Sequence, residues 1–179
     1  CLIRPLSPGE YTYKAVFEGD ASFASSESEP VTVQVYKLST RLHMTISPRP
    51  TYVGDVVKIQ VTLKYINQTP LRDAEINLYS NAELIAKVRT NDYGKATFET
   101  KVTQEGTYTI ESLYYGDSLR ESSSQKIKIL VKKHTLQIEI LEYPTNIIEG
   151  DEVTLKIRVL DSRKKPMGNV SAQLIKEID

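Results

Sequence analysis

Five aspartates stand in turn-like stretches of the chain: Asp20, Asp55, Asp92, Asp117 and Asp151. Their oxygens are the hard ligands that calcium takes at the junctions between domains. A calcium loop needs a dense run of alternating Asp and Asn, and none occurs. Aspartates so spaced cap the amides of their own turns. The two histidines, His43 and His134, each sit in an alternating run. Neither has a cysteine, a serine elbow or a second histidine at a spacing that makes a nucleophile–base pair. No glycine-rich phosphate loop, zinc spacing or EF-hand loop is present. The sequence therefore predicts no catalytic, metal or cofactor residue, and a chain that is not an enzyme.

The single cysteine, Cys1, allows neither an intrachain disulfide nor a cysteine metal site. One reading is a lipid-modified surface cysteine; against it, Cys1 falls in the middle of a patterned domain. Tyr36 and Tyr115 are the aromatics for a carbohydrate platform, a weak one in a chain without tryptophan. Asn67-Gln-Thr and Asn169-Val-Ser read as glycosylation acceptors, the first weakened by Pro70. Lys126, Lys128, Lys132 and Lys133 could meet an anion, but lysines on an exposed strand more often block pairing between sheet edges.

What must position these residues is a set of strands. Val57, Ile59, Val61 and Leu63 alternate with Lys58, Gln60, Thr62 and Lys64, and Val153, Leu155, Ile157 and Val159 alternate likewise. A period of two puts one face in a core and the other in water. Turn chemistry separates the runs: "PRP" at 48–50, "NQTP" at 67–70, "NDYG" at 91–94 and "RKKPMGN" at 163–169. Seven strands follow for the middle of the chain, at about 40–47, 56–65, 73–79, 83–89, 95–101, 106–115 and 125–133. The longest apolar run is far short of the roughly 20 residues of a membrane span. No signal or transit peptide is recognisable. Net charge is zero, divided as −2 over 1–37, +4 over 38–133 and −2 over 134–179, with no dense basic patch for nucleic acid.

The chain also repeats itself. "GEYTYKAVFEGDASFASSES" at 9–28 matches "GTYTIESLYYGDSLRESSS" at 106–124, and Gly19 and Gly116 are 97 apart. A second phrase recurs from Gly54 to Gly150, from Pro70 to Pro166 and from Leu78 to Leu174, each 96 apart. That period is the size of one β-sandwich domain. Residues 38–133 hold both phrases, 1–37 only the second and 134–179 only the first. The predicted fold class is all-β, with tandem immunoglobulin-like sandwiches, one complete and two partial. Tyr11 and Tyr108 fit tyrosine corners, in which the Tyr108 hydroxyl is expected to make a largely buried hydrogen bond. Gly19-Asp20 and Gly116-Asp117 fit tight turns, as do Gly54 and Gly150.

These residues resemble the bacterial and archaeal (Big-type) immunoglobulin-like repeats of cell-surface proteins. The resemblance is carried by Gly150-Asp151 with Val153, Leu155, Val159, Asp161 and Pro166. Thr90 with Gly94, Ala96 and Phe98 follows, then Gly106, Tyr108, Tyr114 and Gly116-Asp117. Tyr65 departs from it where the last unit has Asp161. Macroglobulin-type domains share the "GD…V…P" phrasing and form a second family.

The resemblance implies an extracellular or cell-surface structural module: a stalk, an S-layer element or an adhesin shaft. Its expected partners are neighbouring immunoglobulin-like domains of the same chain. Competing readings are a non-catalytic spacer of a secreted enzyme and a macroglobulin-like domain. "VTVQVYKLSTRLHMTI" and "IKILVKKHTLQIEI" run from strand to strand without glycine or proline, as in a stiff rod. Half a sandwich leaves apolar faces open. Either the parent chain continues on both sides, or one molecule's 134–179 completes another's 1–37 and builds a homomeric fibre.

Overall fold

In the computed structural model, residues 7–173 and 175 are described; Cys1 and Leu174 lie outside them. The described residues form strands and turns with no helix. The leading strands are β1 (Gly9–Tyr13), β2 (Val16–Phe17), β3 (Ser26–Glu27) and β4 (Val31–Val35). β1 pairs antiparallel with β4, and β2 with β3. Next come β5 (Thr40–Ser47), β6 (Thr51–Tyr52), β7 (Val56–Tyr65), β8 (Glu75–Ser80), β9 (Glu83–Arg89), β10 (Lys95–Lys101), β11 (Gly106–Tyr114) and β12 (Ser123–Lys132). A trailing antiparallel pair is made by β13 (Gln137–Glu142) and β14 (Lys156–Leu160).

The central strands make two sheets, one in the order β10-β7-β5 and one in the order β6-β12-β11-β8-β9. The hairpins β8–β9 and β11–β12 each stay within one sheet. The chain crosses between sheets from β7 to β8, from β9 to β10 and from β10 to β11, which is the immunoglobulin-like Greek-key arrangement. The seven expected strands lie close to their observed bounds. The eighth, β6, was not expected: two residues are too few to show alternation, yet they pair in parallel with Val131 and Lys132 of β12.

The alternation places the core. Leu42, Met44 and Ile46 of β5, and Val57, Ile59, Val61 and Leu63 of β7, point inward. They face Ile76 and Leu78 of β8, Ile110 of β11, and Ile129 and Val131 of β12. Leu63 and Leu78 have no exposed surface, and burial of each contributes about 1.5–3 kcal/mol. Between the sheets, the buried Thr90 hydroxyl accepts from Ala74 N at 2.9 Å and donates to Leu71 O at 2.7 Å.

The repeat is legible in the register. Leu42 pairs with Leu63 and Met44 with Val61. In the trailing pair Ile138 meets Val159 and Ile140 meets Ile157, the same partners 96 residues on. The inward side chains nevertheless differ in burial. Met44 is buried and Ile140 exposed; Ile129 is buried and Val33 exposed. The leading and trailing pairs therefore show open apolar faces where the central sandwich has a core.

Candidate functional site

The site follows from where the chain passes between these groups of strands. At the first crossing, 36–39, Lys37 Nζ donates to Asp117 O at 2.8 Å. Leu38 N donates to Leu119 O, and Glu121 N to Leu38 O, at 2.8 and 3.0 Å. Asp117 belongs to the Gly-Asp turn at that end of the sandwich. Its Oδ1 takes the amides of Leu119 and Arg120, and its Oδ2 takes Arg120 Nη1 at 2.7 Å. Arg120 Nε also donates to the Tyr65 hydroxyl at 2.8 Å. Tyr65, where the sequence departs from the repeat pattern, is thus used to hold this end. Burial works against ionisation of Asp117, but the two amides and Arg120 keep its carboxyl below the ordinary value.

The second crossing, 133–136, is built differently. Val53 N donates to Lys132 O at 2.9 Å, continuing the β6–β12 pairing to the end of the strand. The His134 ring stacks on Tyr52, with centroids 4.4 Å apart and planes 18° apart. His134 Nδ1 is buried without a hydrogen-bond partner among the described residues. From the turn after β14, Arg163 reaches back over the Tyr52 ring, its guanidinium carbon 4.9 Å from the centroid. It donates to both Asp55 oxygens at 2.8 and 2.7 Å and to Pro50 O at 3.2 Å. Lys133 and Glu105 pair beside it at 3.0 Å.

The electrostatics favour this contact. The Arg163 guanidinium brings the Asp55 carboxyl from 3.8 down to about 2; burial opposes it, and Tyr52 N assists. Asp55 is 11% exposed but Arg163 is 40% exposed, so solvent screens the pair and its contribution is about 1 kcal/mol. The sign follows from the lowered value. The contribution is complete above the ordinary carboxylate value and is lost as pH falls through about 2.

The other aspartates bond within their own turns. Asp20 Oδ1 accepts from Ser22 and Phe23 amides, and Asp151 Oδ2 from Ile148 N. Asp92 is exposed, and its turn is tied instead by Asn91 Oδ1 to the amides of Tyr93 and Lys95. Among the described residues no three His, Cys, Asp or Glu side chains gather where a metal could sit. His43 faces outward from β5. Asn67 and Asn169 are exposed, in the same loop of consecutive repeats, with Asn169 at the place of Asp73. Gly54 and Gly150 have φ of 94° and 96°, and Gly19 and Gly116 have 88° and 78°. Tyr115 is exposed and its hydroxyl lies 2.9 Å from that of Tyr79; among the described residues no ring stacking joins it to Tyr36. Lys126 pairs with Glu111 at 3.2 Å. β6 covers only one end of β12, so among the described residues Lys128 lies on an otherwise unpaired sheet edge.

Tyr108 Oη donates to Gln104 O at 3.1 Å and Tyr11 Oη to Ser7 O at 2.8 Å. Both bonds are solvent-accessible, which corrects the expectation of a buried one. Tyr108→Phe should therefore cost about 1 kcal/mol, the net value of an ordinary hydrogen bond. Tyr115→Ser should cost less than about 0.5 kcal/mol, as at an open surface site. Urea melts of the two variants check this, and equal losses would remove the special role of Tyr108.

The sequence did not reveal Arg163, Tyr52 or Arg120 as site residues. The signal lay in comparing repeats. Asn67 stands 96 residues before Arg163, and Tyr65 before Asp161, so at each of these two places one copy carries a side chain that reaches beyond its own turn while the other does not.

No protein-family model matches the chain. An uncharacterized protein of Archaeoglobus fulgidus is 24% identical over 91 residues, covering 48% of this chain and 63% of that protein. The chain thus spans less than two thirds of that relative's length. A solution structure of the CARDB domain of a Pyrococcus furiosus protein aligns with a TM-score of 0.37 at 17% identity, over 54% of this chain and 94% of that domain. A crystal structure of the same domain, in complex with di-metal ions, aligns with a TM-score of 0.37 at 15% identity, over 56% and 99%.

Proposed function

We propose that this chain is an architectural segment of a cell-surface or extracellular protein, a run of immunoglobulin-like units divided at 1–37, 38–133 and 134–179. Its work is to hold neighbouring units at a set angle in a stalk, an S-layer or an adhesin shaft, and it carries no catalysis. The observation that carries this reading is the second crossing. Four residues separate β12 from β13, and Tyr52 is held between His134 and Arg163 while Arg163 grips Asp55. A short connection fixed by an ion pair and a ring stack resists bending more than a flexible linker does. The secreted-enzyme spacer remains the second reading, since a spacer uses the same stiffness.

Spin labels at Thr97→Cys and Thr154→Cys, two exposed positions, in a Cys1→Ser background, report the angle directly. A single narrow distance distribution is expected at pH 7. It should broaden on Arg163→Ala, and in the unaltered junction as the Asp55 carboxyl is protonated, with pH falling from about 4 towards 2. A broad distribution at pH 7 would remove the architectural reading. Failure of antibodies against the chain to label intact source cells would remove its surface placement.

A further inference from the structure

The two outer faces of the central sandwich differ in charge. Across β8, β9, β11 and β12, cations meet carboxylates: Lys87 pairs with Glu75 at 3.5 Å, Arg89 with Asp73 at 3.1 Å and Lys126 with Glu111 at 3.2 Å. The other sheet is unlike it. Its outward positions carry Arg41 on β5, Lys58 and Lys64 on β7, and Lys95 and Lys101 on β10, against one carboxylate, Glu99. That excess equals the net charge of +4 over 38–133. Glu99 lies 3.7 Å from Lys58. Among the described residues Arg41, Lys64 and Lys95 form no ion pair. The register gathers these three. Arg41 stands opposite Lys64, and Lys95 opposite Thr62, the next outward residue along β7. Like charges set opposite each other weaken a sheet, so the fold gains nothing from this arrangement. The three cations line a groove of about 350 Å³ with His43, Thr62 and Gln68. All three strands belong to the complete central sandwich. In the following unit, which has that sandwich beside it, the counterparts of Arg41 and Thr62 are Gln137 and Arg158, and both are exposed. A neighbouring unit therefore leaves this face open.

We propose that this groove binds an acidic polysaccharide. Arg41, Lys64 and Lys95 meet its sulfate or uronate groups, and His43, Thr62 and Gln68 meet its hydroxyls. The arginine fork takes two oxygens of one anionic group, and the lysines supply point charges. The cations span three strands, about 10 Å across, which suits a polymer lying over the face with a charge on successive units. Other polyanions fit less well. An extended peptide adds to a free strand edge, but β7 has a partner on both sides. The groove also offers no aliphatic side chain against which a protein could anchor. Nucleic acid bases stack on open aromatic rings. The tyrosine of this groove, Tyr65, is already engaged by Arg120, through its hydroxyl at 2.8 Å and with the guanidinium carbon 5.9 Å from its ring centroid. The site is special to the central unit. At the places of His43 and Thr62 the trailing unit has Glu139 and Arg158, which neutralise each other at 2.6 Å.

This partner rests on the surface reading for where the polymer is met, but the two fail separately, because binding is measured on the chain alone. The test is calorimetric titration of the full 179-residue chain, with Cys1→Ser, against heparin, polygalacturonate and neutral dextran. Binding to heparin or polygalacturonate is expected at about 20 mM salt and should weaken at about 300 mM, where screening is strong. Heparin alone would mark sulfate as the group recognised, and polygalacturonate would mark the carboxylate; dextran should not bind. Arg41→Gln and Lys95→Gln, both at exposed positions, should each weaken binding about fivefold and together about twentyfold, the scale of one and of two solvent-screened charge contacts. Lys128→Gln removes the same charge from the other sheet and should leave binding unchanged. Failure to bind either acidic glycan overturns the proposal, and so does binding that Lys128→Gln weakens as much as Arg41→Gln does. Tighter binding of polyglutamate or duplex DNA than of either glycan overturns the polysaccharide as the occupant.

Discussion

Gly94→Ala is expected to lower the stability of the central sandwich by about 3 kcal/mol or more. Gly94 has a φ of 69°, and a Cβ there would lie 2.3 Å from Leu63 O and 3.2 Å from Leu71 N. Those atoms cannot withdraw. Leu63 N donates to Gly94 O at 2.8 Å and Leu71 N to Leu63 O at 3.0 Å, which ties the turn to the last part of β7. The left-handed backbone costs an alanine about 1–2 kcal/mol. Forcing the backbone aside adds about 1–3 kcal/mol, as overpacking does. Gly54→Ala separates the two terms, because its φ is 94° but a Cβ there meets nothing within 4 Å. Chemical denaturation should show Gly94→Ala to be the more damaging by a clear margin. Equal losses would mean that backbone strain alone is at work.

Thr90→Val should cost about 2–3 kcal/mol, since it keeps the shape but leaves a buried amide unsatisfied. The hydroxyl at stake joins Ala74 N to Leu71 O across the connection between β7 and β8. Thr90→Ser keeps the hydroxyl and loses a methyl, at about 1 kcal/mol. The same denaturation measurement decides. If Thr90→Val is the milder change, packing rather than hydrogen bonding holds the segment.

Much of the strand pattern was readable because burial leaves a mark at every second residue. Val57 to Leu63 and Leu42 to Ile46 announce their faces without reference to anything distant. The period of about 96 residues was readable for a related reason: turns need particular residues, so Gly54-Asp55 and Gly150-Asp151 recur. The site itself was not. Arg163 and Asp55 are 108 residues apart, Arg120 and Tyr65 55 apart. An ion pair between exposed turns imposes no period on the chain. "RKKPMGN" shows a turn, but nothing local says that its first residue leaves the turn to grip a neighbour. β6 escaped notice because pairing with β12 depends on strand ends brought together by the whole sandwich.

That small strand bears on how the molecule carries tension. β6 and β12 run in the same direction. A pull on the two ends of the sandwich drags β6 backwards and β12 forwards along their shared axis. The bonds at Thr51, Tyr52 and Val53 are then sheared together, whereas an antiparallel pair opened from one end unzips one bond at a time. The isolated parallel bridge between Leu38 and Arg120 loads in the same sense at the other end. Resistance to stretching is set by the barrier to unfolding and not by equilibrium stability. Two short parallel contacts, of little weight in a melting curve, would therefore govern the force at which the sandwich yields.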